Sequence, residues 1–156
     1  MFVMPTPGQR YTPAQTLSHS GEMLLLDEVL DYNTESVSTR VHIRRESPFC
    51  EATGVPAWVG MEYMAQTIGV YSGIERLQQG EALKIGFLIG TRRYDAAVPF
   101  FTVGKALQIN ARLLLWGENN LFVFDCDIHD GERKLAAGEI KAFRPEDVHA
   151  YLKENA

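Results

Sequence analysis

The sequence predicts an α+β domain in which an antiparallel sheet wraps one central helix. Three observations carry this expectation. The segment from Ala57 to about Gln79 contains no proline and is apolar on almost every side. Strand-like runs stand before and after it, one of them with a clean alternation of period two. Short polar turns join the runs that follow the helix.

Thr12-Pro13 has the form of an N-cap followed by proline at the first helical position, opening a short helix to about Leu17. Glu22 to Tyr32 is an apolar run of strand length. From Ser36 to Arg45, Val37, Thr39, Val41 and Ile43 face one way, and Ser38, Arg40, His42 and Arg44 the other. Pro48 to Pro56 is a loop, and Pro56 opens the long helix. Trp58, Val59, Met61, Tyr63, Met64, Ile68, Val70, Tyr71 and Ile74 leave this helix no polar stripe, so it is expected to be enclosed. Gly60, Gly69 and Gly73 each cost a helix about 1 kcal/mol relative to alanine, a sensible cost where backbone must pass close to a sheet or a ligand. Gly80 supplies the stop. Leu83–Tyr94, Lys105–Trp116, Leu121–His129 and Lys134–Phe143 are strand candidates forming an antiparallel meander, with turns at 117–120 and 130–132. Glu146–Asn155 is a short terminal helix. All 156 residues form one domain, its core spanning about 16–145.

Composition excludes several classes. The formal net charge of −5 and the absence of a nucleic-acid-binding signature argue against a nucleic-acid partner. The N-terminus lacks a basic region followed by an apolar one, and no run approaches a membrane span, so a cytoplasmic protein is expected. Cys50 and Cys126 are isolated and are expected to be reduced, Cys126 as a small core residue. No metal constellation and no nucleotide motif appears, so no cofactor is expected.

Glu62 is the sharpest chemical signal. It is the only charged residue between Glu51 and Glu75, in the first turns of a helix expected to be buried. Glutamate is rarely buried without a partner or a task, and desolvation favours the protonated form needed for proton transfer near neutrality. Gln66, one turn on, is placed to orient it by a hydrogen bond. The free amides of Ala57 and Trp58 at the helix start are placed for developing negative charge on a thioester oxygen. Among the histidines, His42 falls on the polar side of its strand, and His129 and His149 lie near a turn or the tail. His19 is left as the candidate second titratable group. Tyr94, Phe100 and Phe101 are candidates for lining an apolar substrate tunnel, or else core aromatics. Arg44, Arg45, Arg92 and Arg93 form two basic pairs that suit an acidic docking partner.

These segments resemble the hot-dog 3-hydroxyacyl-ACP dehydratases of bacterial fatty acid synthesis, over Thr16 to Pro145. LSHSGEMLLLDEVLDY is similar to the family's L-P-H-R-x-P-F-L-L-V-D-R-V opening. VPAWVGMEYMAQTIGV is similar to M-P-G-V-x-x-x-E-A-L-A-Q-x-x-G, with Pro56, Glu62, Ala65, Gln66 and Gly69 in register. GFLIGTRRYDAAVPFFTVGKAL resembles the F-x-G-I-D-x-A-R-F-x-x-P-V-x-P-G-D stretch, and the fit is closer to the sub-branch of dehydratases from aryl-polyene clusters. The resemblance implies a hot-dog fold and a dimer, homo- or heteromeric, with active sites at the subunit interface. It implies dehydration of a 3-hydroxyacyl thioester on acyl carrier protein to the trans-2-enoyl product. A histidine would take the C2 proton and Glu62 would assist loss of the hydroxyl, with the Ala57 amide on the thioester carbonyl. One departure stands out: Pro48, followed by Phe49, occupies the place of the family's histidine. Either His19 or another group replaces it, or this subunit is weakly active or non-catalytic and serves an intact partner. A hot-dog thioesterase acting on acyl-CoA is the rival reaction.

Overall fold

The computed structural model describes residues 10–17, 21–83 and 87–154. His19 therefore lies outside the described residues. Helix α1 spans Pro13–Thr16, and Thr12 caps it with a reciprocal Thr12–Gln15 capping box. A 3-10 turn at Gly21–Met23 leads to β1 (Glu28–Tyr32), shorter than the run Glu22 to Tyr32 suggests. β2 (Ser36–His42) and the brief β3 (Gly54–Pro56) precede the central helix. That helix starts as a 3-10 turn at Ala57–Val59 and continues as α2 (Gly60–Gln78). Gly80 ends it in the left-handed conformation, φ +71°. Then come β4 (Phe87–Ala96), β5 (Phe100–Thr102), β6 (Ala106–Trp116), β7 (Leu121–Asp130), β8 (Arg133–Phe143) and α3 (Val148–Glu154).

The main sheet runs β1-β2-β6-β7-β8-β4, with every pair antiparallel. The expected four-strand meander is thus corrected. β6, β7 and β8 form one, but β4 crosses to the far edge beside β8, and β6 fills the place next to β2. β3 and β5 pair separately as a small ribbon. The sheet's inner face supplies Val37, Thr39, Val41, Leu107, Ile109, Phe124, Cys126, Ile128 and Ile140, packed against Tyr63, Met64, Thr67, Val70, Tyr71 and Ile74 of α2. This is the hot-dog arrangement.

Two polar links fix how the helix lies on β2. Thr39 and Thr67 join hydroxyls at 2.8 Å; since Thr67 donates onward to the Tyr63 carbonyl, Thr39 is the donor of the pair. One turn later, the Tyr71 hydroxyl donates to the Thr34 carbonyl at 2.7 Å. The glycines explain themselves by close approach. A Cβ on Gly73 would stand 2.0 Å from the Thr16 carbonyl oxygen, so α1 crosses α2 with backbone almost touching backbone. Gly73→Ala should therefore destabilise the protein by about 1–3 kcal/mol, the usual cost of overpacking, although alanine is the better helix former. Chemical denaturation of the two proteins measures the difference, and a gain in stability would show that α1 moves freely.

Candidate functional site

The entry to the central helix is built from the β3–β5 ribbon. Val55 pairs with Phe101 and Pro56 with Phe100, so the chain reaches Ala57 alongside residues 99–101. There the Ala57 amide donates to the Pro99 carbonyl at 2.9 Å. The expected role of Ala57 as oxyanion donor is thereby corrected: its N–H is already committed, because the ribbon's pairing extends one residue into the helix. The Ala57 carbonyl is committed as well, accepting the amide of Gly60 and the hydroxyl of Tyr94. Trp58 supplies the next amide. It occupies the second position of the 3-10 turn, where no carbonyl earlier in the turn can accept it.

Glu62 follows one turn later, and its side chain is exposed. The expectation that it is buried within this chain is not met, and neither is a fully enclosed helix. The curled sheet covers only the side of α2 that carries Tyr63, Met64, Thr67, Val70 and Tyr71. Trp58, 53% exposed, and Glu62 lie on the uncovered side, with Ala65 partly covered beyond them. The Trp58 ring meets Phe49 edge to face, centroids 5.5 Å apart, and Phe49 is itself 53% exposed. Phe49 is held with φ at +68°, in a turn closed by the Cys50 amide on the Ser47 carbonyl. Pro48 at the second position and a left-handed third residue match a type II turn, whose third position favours glycine. A bulky residue there costs about 1–2 kcal/mol of backbone strain. Glu62 thus stands one turn along the helix from an exposed aromatic pair, one member of which is held against local backbone preference.

Gln66 does not orient Glu62. It is buried, and its amide is engaged elsewhere: Oε1 accepts the Leu25 amide at 2.9 Å and Nε2 donates to the Met23 carbonyl at 2.7 Å. Both contacts clamp the segment before β1, which carries Met23, 66% exposed, to the middle of the helix. Phe101 is sealed in the core against Tyr63, ring centroids 6.0 Å apart, so it fills the interior and lines no channel. Phe100 is half-buried beside it. Tyr94 is half-buried, and burial pushes its phenol up to about 12, so the hydroxyl stays a donor across the working range. Burial raises Tyr63 further still.

The four arginines do not form one patch. Arg93 is level with Ser36 across the sheet, through Glu139, Asp125 and Arg112. Arg44 follows the opposite end of β2, and β2 is four strand spacings from β4. The pairs are therefore roughly 19 Å apart across the sheet and a further 20 Å or so along it. Arg92 and Arg93 flank a shallow depression with Asp125 and Glu139 on the outer face, and Arg92 approaches Glu139 at 3.6 Å. Arg44 pairs with Asp27 at 3.2 Å, and Arg45 donates to the Ala52 carbonyl at 3.3 Å, in the loop that carries Phe49. Each pair adjoins a segment that reaches the helix entry: Arg45 bonds the loop that carries Phe49, and Arg93 precedes Tyr94, whose hydroxyl meets the Ala57 carbonyl.

Sequence reasoning missed two features. Phe49 was visible only as the neighbour of Pro48; the signal available was an aromatic residue in a turn position that favours glycine. The other is the acid that the helix does bury, Glu75, which is 2% exposed and paired with Arg144 at 2.9 Å. No local pattern marks that pair, since its members are far apart in the chain.

Among the described residues, no helix is long and apolar enough to cross a membrane. No curated protein matches the chain by sequence. Solved structures do. The dehydratase heterocomplex ApeI:P from Xenorhabdus doucetiae aligns with 30% identity and a TM-score of 0.86, over 95% of this chain and 100% of that one. A hypothetical thioesterase with coenzyme A from Streptococcus pneumoniae aligns at 14% identity and a TM-score of 0.60, over 75% of this chain and 84% of that one. The PaaI protein of the Escherichia coli phenylacetic acid degradation operon gives 14% and 0.59, over 74% and 81%. The last two are alike in fold alone. The family model described as ApeP dehydratase matches residues 11–153, nearly the whole length, and by that match the chain belongs to the ApeP-like dehydratase family.

Proposed function

We propose that this chain supplies the acid half of a dehydratase site that acts on a 3-hydroxyacyl thioester carried by acyl carrier protein, completed by a second hot-dog subunit. The observation that carries the reading is the placement of Glu62. It stands on the open side of α2, one turn along the helix from the exposed Trp58–Phe49 pair and from the Trp58 amide. An acid used for proton transfer gains from exclusion of water. This chain alone does not provide that exclusion, so a subunit seated on the aromatic pair would. Proline at position 48 cannot act as a base, and of the candidates that remain, His19 of this chain and a base of the partner, this reading takes the partner's. The likeness to a structure described as a dehydratase heterocomplex supports the presence of a second subunit.

In this mechanism the partner's base removes the C2 proton of the 3-hydroxyacyl thioester. Negative charge grows on the thioester oxygen and is met by the Trp58 amide, reinforced by the helix dipole. Glu62 gives a proton to the leaving 3-hydroxyl, which departs as water and leaves the trans-2-enoyl thioester. Arg44 and Arg45, in and beside the loop that carries Phe49, and Arg92 and Arg93, beside Tyr94, are the two basic pairs that suit the acidic carrier.

The test is to assay the purified chain with 3-hydroxyacyl-ACP, alone and mixed with a hot-dog dehydratase subunit that carries the histidine. The expected outcome is slow turnover alone and at least a tenfold gain on mixing. Full activity alone that disappears in His19→Ala would return the base to this chain. Release of free thiol without enoyl product would replace dehydration by hydrolysis.

A further inference from the structure

One glycine makes room for a tyrosine hydroxyl, and a second lets the tyrosine's strand come close. A Cβ on Gly60 would lie 2.1 Å from the Tyr94 hydroxyl oxygen. A Cβ on Gly138, opposite Tyr94 on β8, would lie 2.7 Å from the Arg93 carbonyl oxygen and 3.4 Å from the Tyr94 ring. Glycine in the first turn of a helix costs about 1 kcal/mol relative to alanine. Here it lets a phenol cross from the edge strand to the helix entry and donate to the Ala57 carbonyl. That oxygen also accepts the Gly60 amide, while the Ala57 N–H is fixed on Pro99. The peptide between Ala57 and Trp58 is therefore pinned on its carbonyl side by two donors, and its N–H, that of Trp58, is free of the turn.

Hydrogen bonds to a peptide carbonyl draw electrons towards oxygen and make the N–H of the same peptide a stronger donor, roughly 10–30% per bond. From this geometry we infer that Tyr94 is a positioning residue: its hydroxyl orients and polarises the Ala57–Trp58 peptide so that the Trp58 amide stabilises the thioester oxyanion. The inference rests on the dehydratase reading given above and assigns Tyr94 a different place from the acyl tunnel. Tyr94 touches no reacting atom and acts through the peptide. Burial keeps the phenol protonated, so the contact is present throughout the pH range of the reaction.

Tyr94→Phe keeps the ring and removes the donor. In whichever preparation turns over, the chain alone or with its partner subunit, the variant should lose about fivefold to tenfold in kcat with KM within twofold, since the lost interaction serves the transition state. A tunnel residue would instead change KM and the preferred acyl length. Gly60→Ala displaces the hydroxyl from the other side, and because its Cβ would also stand 2.9 Å from Ile128 and 3.1 Å from Phe101, its loss should be at least as large. The double variant should be no worse than Gly60→Ala alone, because the tyrosine contact is already gone there. A readout independent of turnover is the backbone amide resonance of Trp58, which should move upfield in Tyr94→Phe. An unchanged kcat, a change confined to KM, or an unmoved Trp58 resonance overturns the inference while leaving the dehydratase reading intact. No dehydration by the wild-type chain in either preparation overturns both.

Discussion

Glu62→Gln should lower turnover of 3-hydroxyacyl-ACP by about 100-fold to 10,000-fold, the range for loss of a positioned general acid. It should leave the fold untouched. The side chain is exposed and caps no helix amide, and surface substitutions of this kind stay within about 0.5 kcal/mol. Glutamine keeps the shape and a hydrogen-bond donor but has no proton to give to the leaving hydroxyl. The loss should fall on kcat, with KM little changed, because substrate still meets the same surface. Complex formation with the partner subunit should survive for the same reason. Steady-state kinetics of the assembled enzyme, with thermal melts of both proteins, separate the cases. Activity within about threefold of wild type would place the acid elsewhere in the site. A large fall in melting temperature would make Glu62 a structural residue.

What was legible in the sequence follows from which interactions are local. The alternation from Val37 to Ile43 was readable because β2 has one face on the core and one outside, and Val37, Thr39, Val41 and Ile43 are all buried. The Thr12 cap, the Gly80 stop and the turn at Gly131 were readable because each is decided by a few adjacent residues. The position of β4 was not, since its partner β8 lies tens of residues further on and nothing in either strand names the other. β5 is three residues inside the apolar run Val98–Val103, with no alternation to mark it. Glu62 shows the limit most clearly. An all-round apolar helix looks the same whether its last face is covered by its own sheet or by a second subunit, so composition pointed to burial where the single chain leaves an open side. The commitments of Ala57 and Gln66 to backbone were invisible for a similar reason. Both depend on segments, Pro99 and Met23–Leu25, that only the fold brings to the helix.

Replacing Glu75 by alanine should be the most destabilising of these changes. Its carboxylate is sealed in the core, with Oε2 at 2.9 Å from Arg144 Nη1 and Oε1 accepting the side-chain amide of Gln79 at 2.7 Å. Arg144 is equally sealed. Nη1 also reaches the Ser72 hydroxyl at 2.9 Å, the guanidinium lies over the rings of Trp116 and Phe122, and Nε has no partner among the described residues. The residue is already short of one hydrogen bond, so loss of Glu75 leaves a desolvated cation held by a hydroxyl and two ring faces. Breaking a buried pair from one side costs about 3–5 kcal/mol, and in a domain of this length each kcal/mol lowers the melting temperature by about 2–4 °C. A fall of about 10 °C is therefore expected. The arginine is the reason, and a second substitution shows it. In Glu75→Ala with Arg144→Met both charges are gone, a flexible apolar chain covers the Trp116 and Phe122 rings, and most of the stability should return. If the double variant melts as low as the single one, the cost comes from the cavity at position 75 and not from the stranded charge. If Glu75→Ala melts like wild type, water reaches Arg144 and the pair contributes nothing to holding the end of β8 against the helix.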